Sequence, residues 1–101
     1  MRFSSILEAL RENDLAIARR AGWNGKGMFI ALMPEKTVPA ESVSPRTRAL
    51  LALHDPGAAP APLHLTGYLA MWTAQRTWLC GWLASQSDLL ADDWEVVVEA
   101  R

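Results

Sequence analysis

All six prolines of this chain lie between Pro34 and Pro62, and that clustering decides where a sheet can form. Proline has no amide proton for a strand ladder, so strands are not expected inside 34–62 and the sheet has to come from the flanks. The N-terminal flank carries a hairpin signal. Asn24-Gly25 stands between the segment 15–23 and the run 28–33, and both residues tolerate the positive φ of tight strand-connecting turns. Gly22 and Gly27 leave the backbone bare around it. The expected order is strand, glycine-rich turn, strand, although propensity alone would also let 15–20 continue a helix.

The other elements follow from periodicity and capping. Phe3, Ile6, Leu7 and Leu10 form an amphipathic stripe, with Ser5 and Glu8 spaced for a capping box and Asn13-Asp14 as the stop. Inside the proline segment Ser44 caps a helix with Pro45 at its first position, running to Leu53 and ending at Asp55-Pro56-Gly57. Residues 63–83 favour strands, with Thr73-Ala74-Gln75-Arg76 as a second hairpin turn. Ser85 and Asp88 repeat the capping logic for a short helix, and Glu95-Val96-Val97-Val98 is a terminal strand. The class is α+β: an antiparallel sheet of about five strands, an N-terminal helix, a middle-segment helix and a short helix before the last strand.

At 101 residues the chain is one domain, 1–101, in which 34–66 is a proline-rich insertion. A formal net charge of −1, with acids and bases mixed along the sequence, gives no basic stripe for DNA or RNA. The single cysteine, Cys80, forms no internal disulfide, and no run of about 18 apolar residues exists to span a bilayer. With Glu8 and Glu12 so early, the start does not read as a signal peptide. A cytoplasmic protein without membrane contact is expected.

Catalytic signals are sparse. His54 and His64 have no cysteine or histidine at ligand spacing, so no metal is expected. Cys80 reads as a buried, inert thiol in an apolar strand, and neither Ser85 nor Ser87 sits in a nucleophile elbow. Asp88 as a cap and Asp92-Asp93 in a turn need no catalysis, but carboxylates near a helix C-terminus are mildly unfavourable and leave these two room for a task. Residues 22–27 match no phosphate-binding fingerprint, yet offer backbone amides and Lys26 to an anion. Five tryptophans are a heavy indole load for so small a core, which points some rings towards a subunit contact or a ligand. The densest stretch, Trp82 through Trp94, serves either a core with a capped helix or a pocket that stacks a planar ligand.

Gly22-Trp23-Asn24-Gly25-Lys26-Gly27-Met28 and the block from Trp82 to Val96, together with Glu8-Ala9-Leu10 and Ala18-Arg19, resemble the Thoeris anti-defence family of the second type. These are small phage and prophage proteins. The resemblance covers 1–33 and about 68–98, while the proline-rich middle matches nothing in the family pattern and 73–76 lacks the usual turn glycine. It implies a non-enzymatic sponge without a cofactor that sequesters cyclic ADP-ribose-type immune signals, with cyclic oligonucleotides at a separate site in some members. It also implies a homotetramer with ligand at protomer contacts. The implied ligand residues are Trp23, Asn24, Gly25 and Met28 with Ser85, Gln86 and Asp88, and Lys26, like Arg19, is a nearby cation suited to a pyrophosphate. The alternative is a small oligomeric protein-interaction module; a hydrolase using Asp88 and Asp93 is a remoter third.

Overall fold

Helix α1 runs Phe3–Glu12 and buries Ile6 and Leu10, as the apolar stripe requires. The Ser5/Glu8 capping box does not form. Arg2 is the N-cap, with no side-chain cap bond, and its carbonyl accepts the amides of Ser5 and Ile6. Starting at Phe3 lets that ring meet Trp94 edge-on, with centroids 5.4 Å apart, and this packing outweighs a local cap at Ser5. Asn13 ends the helix, its Nδ2 donating to the Ala9 carbonyl at 3.0 Å. The computed structural model describes residues 1–23, 25–55, 57 and 62–98, which form two compact units, 1–33 with the chain from Tyr68 onward, and 34–67.

The first unit is a five-stranded antiparallel sheet. Its strands are β1 (Ala16–Arg20), β2 (Phe29–Met33), β5 (Tyr68–Trp72), β6 (Trp78–Cys80) and β7 (Trp94–Val98), in the order β6-β5-β2-β1-β7. The register pairs Ala18 with Ile30 and Val96, and Ile30 with Met71. Alternation along each strand then turns Ala16, Ala18, Ile30, Met71 and Trp94 to one face, against Ile6 and Leu10 of α1. Small alanines on β1 let the helix come close to the sheet. The remaining helix, α3 (Gln86–Leu90), starts at Ser85, whose Oγ accepts the Asp88 amide at 3.1 Å.

The first connection differs from a two-residue hairpin. The register centres it at residue 24, where the Asn-Gly signal lies, but β2 begins only at Phe29 and a 3-10 turn, Ala21–Trp23, follows β1. Asp93 explains the opening: its carbonyl accepts the Ala21 amide at 3.0 Å and its carboxylate accepts the Gly22 amide at 2.8 Å, which draws the loop towards β7. A Cβ at Gly22 would meet that carboxylate at 3.0 Å. Asn24 itself lies outside the described residues. The second turn forms as expected, with Thr73 and Thr77 bonded across its mouth, and Arg76 takes the positive φ (63°) that a glycine would occupy. Cys80 is exposed rather than buried, because β6 is an edge strand.

The second unit corrects the expectation that no strand forms inside 34–62. Strand β3 (Lys36–Val38) lies within that segment and pairs antiparallel with β4 (Leu63–Leu65), which falls where strands were expected, Thr37 opposite His64. Pro34, Pro39 and Pro62 flank this ladder without entering it, so no ladder amide is lost. Helix α2 (Pro45–His54) carries the expected Ser44 cap, bonded to the Thr47 amide at 3.2 Å. Pro56 and 58–61 lie outside the described residues. No helix among the described residues is long and apolar enough to cross a membrane.

Two substitutions test this packing in denaturant unfolding. Ile30→Ala, at a fully buried position in the middle of the sheet, is expected to cost about 2–5 kcal/mol. Arg76→Gly is expected to stabilise by up to about 1 kcal/mol, since it removes a side chain from the left-handed region.

Candidate functional site

The loop between β1 and β2 turns at Gly25 (φ 68°) and Gly27 (φ 78°), and the space it frames is a cleft of about 350 Å3. Trp23, Gly25, Lys26 and Met28 line it from the loop. Ile17, Arg19, Phe29 and Glu95 line it from the face of the sheet opposite α1, and Arg20 closes the wall at the end of β1. Four of the loop residues expected at a ligand site therefore share one surface. Lys26 is exposed and Met28 half-buried.

Ser85, Gln86 and Asp88 do not line this cleft. Gln86 is exposed on α3, Ser85 is the helix cap, and its hydroxyl also donates to the Asp88 carboxylate at 2.9 Å. The other oxygen of Asp88 accepts from Arg20 Nη1 at 2.9 Å, while Arg20 Nε donates to Asp93 at 2.9 Å. One guanidinium thus joins the end of β1 to α3 and to the residue before β7. Ser85, Asp88 and Asp93 hold the scaffold behind the cleft.

The tryptophans complete that scaffold. Trp94 is 2% exposed and donates its indole N–H to the Asp88 carbonyl at 2.9 Å. Trp23 meets Trp94 edge-on at 5.2 Å and Trp82 at 6.5 Å. The Trp23 ring is half-buried, packed on the core on one side and on the cleft wall on the other. Of the two alternatives for the Trp82–Trp94 block, the core with a capped helix is observed: Trp94 is buried, Trp82 packs against the core, Ser85 caps α3, and neither indole lines the cleft.

Charge follows from these contacts. Burial alone pushes the Asp88 carboxyl up, but hydrogen bonds from Arg20 and Ser85 outweigh it and hold the group below its usual 3.8. Asp93 is held below the same value by Arg20 and by the Gly22 amide. Arg20 is raised by Asp93 and then Asp88. On the cleft wall Arg19 Nε reaches Glu95 at 3.5 Å, with both side chains half exposed, an ion pair of the kind worth about 0.2–1 kcal/mol. Lys26 has no carboxylate within ion-pair distance among the described residues. Glu95, Arg20 and Asp93 were not singled out for the cleft from sequence. Their roles depend on the β1–β7 register, for which the sequence carries no local signal.

The Tad2-like family model, the Thoeris anti-defense 2-like domain, matches residues 1–97, and the chain belongs to that family. It is thus a Thoeris anti-defence domain. No curated protein matches it.

The Arg20 bridge makes an acid-dependence prediction. Both folded carboxyls titrate below their unfolded value, so their stabilisation is complete above about pH 4 and is lost as pH falls through the lowered folded values. Thermal melts followed by tryptophan fluorescence between pH 7 and about pH 2.5 are expected to show that loss in the wild type. Arg20→Gln is expected to melt lower at neutral pH and to show a shallower decline on acidification.

Proposed function

We propose that this protein is a non-enzymatic sponge that binds a cyclic ADP-ribose-type immune nucleotide in the cleft between β1, β2 and β7 and withholds it from its effector. The observation that carries this reading is the combination of two aromatics, Trp23 and Phe29, three cations, Arg19, Arg20 and Lys26, and bare loop backbone around a cleft of about 350 Å3. That volume falls within the range of about 300–1,000 Å3 usual for small-molecule sites. Stacking of a base on an indole such as Trp23 is worth about 1–3 kcal/mol. Arg19 and Lys26 suit a pyrophosphate, and the glycines let backbone amides approach it.

Binding without turnover accounts best for the carboxylates. Asp88 and Asp93 are both tied to Arg20 and held ionised, and Glu95 is paired with Arg19. Neither aspartate is poised as a general acid. In this reading Trp23, Asn24, Gly25, Lys26 and Met28 meet the ligand, and Ser85, Gln86 and Asp88 stand behind or beside it. The family resemblance adds a homotetramer with ligand at protomer contacts, cyclic oligonucleotides at a separate site, and action in the cytoplasm of the bacterial host.

A second reading, a protein-interaction module, draws on the aromatic strip Phe29, Trp72 and Trp78. Trp78 lies 6.1 Å from Phe29 and 6.4 Å from Trp72 between ring centroids, and is 40% exposed. Nucleotide carried through purification, seen as excess absorbance near 260 nm, favours the sponge over this module.

Calorimetric titration with cyclic and glycocyclic ADP-ribose isomers is expected to show tight binding, with heat denaturation returning the ligand unchanged on chromatography. Lys26→Gln is expected to weaken binding about tenfold or more, as for a lost charged hydrogen bond, with an unchanged melting temperature. Trp23→Ala is expected to lower both affinity and stability, since its ring also packs on Trp94. Absence of binding across the panel, or a processed ligand, ends the sponge reading.

A further inference from the structure

Building on the cleft reading above, we propose that Glu95 is an affinity-setting residue: it holds Arg19 on the cleft wall, and a nucleotide pyrophosphate binds by displacing it. Arg19 and Glu95 stand directly opposite each other in the β1–β7 ladder, on the sheet face that forms the cleft wall. Cross-strand partners at such a position are close enough for their side chains to interact throughout the life of the sheet. Their contact is a single one of 3.5 Å, between side chains 50% and 51% exposed. Water competes for such a pair, and a phosphate that accepts two parallel guanidinium bonds is a better partner for Arg19 than this carboxylate.

The neighbouring charges make this exchange the deciding step. Arg20 is shared between Asp88 and Asp93 at 2.9 Å each, so its charge is matched by carboxylates behind the wall. Lys26 has no such partner among the described residues and is ready to receive one phosphate. A second phosphate finds Arg19 already engaged. Binding a pyrophosphate across both cations therefore separates Arg19 from Glu95 and leaves that carboxylate as a like charge beside the ligand. Glu95 then lowers affinity, and removing its charge raises it, an unusual sign for a residue on a binding wall.

The test is a thermodynamic cycle over wild type, Glu95→Gln, Arg19→Gln and the double variant, titrated with glycocyclic ADP-ribose and cyclic ADP-ribose at low and moderate salt. Glu95→Gln is expected to tighten binding about three- to tenfold at low salt, as for removal of one nearby like charge, and to steepen the salt dependence. Arg19→Gln is expected to weaken binding, and the gain from Glu95→Gln is expected to shrink in that background, because the carboxylate acts largely through Arg19. A purely structural role for Glu95 does not produce this coupling or the change in salt dependence. Weaker binding by Glu95→Gln overturns the proposal and makes Glu95 a direct hydrogen-bond acceptor for the ligand. Unchanged binding overturns it as well. Failure of all four proteins to bind either nucleotide overturns the sponge reading itself, whereas wild-type binding without a gain in Glu95→Gln overturns the exchange alone.

Discussion

The Arg20 guanidinium, gripped by Asp88 on one side and Asp93 on the other, is the contact on which the cleft depends. It fastens the end of β1 to α3 and to the residue before β7, about seventy positions further along the chain. Asp93 then spends its remaining bonds on the Gly22 amide, and its own carbonyl takes the Ala21 amide. The chain leaving β1 is thereby bent away from β2. A tight hairpin would have filled the space where the cleft now opens, so the bridge makes the loop wide as well as holding it in place.

Behind the bridge, Trp94 makes the arrangement rigid. Its ring is packed by Phe3 and Trp23, and its indole N–H fixes the Asp88 carbonyl. The carboxylate and the carbonyl of Asp88 are thus both engaged, one by charge and one by an indole. A polar group tied at two points loses little further freedom when a ligand arrives, which is the advantage of a preorganised wall. The cations facing the cleft are held more loosely: Arg19 by one long contact, Lys26 by no carboxylate among the described residues. Rigid support behind mobile charge suits capture of an anion by shape and pairing alone.

Much of the fold was legible because it rests on local rules. The α1 stripe, the Ser44 and Ser85 caps, the Thr73–Arg76 turn and the β-branched terminal strand each declare themselves within a few residues. Local reading failed where tertiary contacts overrode it. Phe3 moved the start of α1 ahead of its capping box, Asp93 widened the Asn-Gly turn, and the edge position of β6 exposed Cys80. Strand β3, the partner of β4 in the small ladder, escaped notice because prolines argue against strands in general but not against short ones they merely bracket.

The candidate site divides along the same line. By itself the sequence determined the loop residues around Gly25, the caps and helices, the α+β class and the family resemblance, since each is written in adjacent residues or in motif order. Only the tertiary structure decided that Arg19 faces Glu95, that Arg20 bridges Asp88 and Asp93, and that Ser85, Gln86 and Asp88 stand outside the cleft lining while Glu95 joins it. These pairings join residues about seventy positions apart, and the register that creates them is set by burying Ala18, Ile30 and Trp94 together on one face of the sheet.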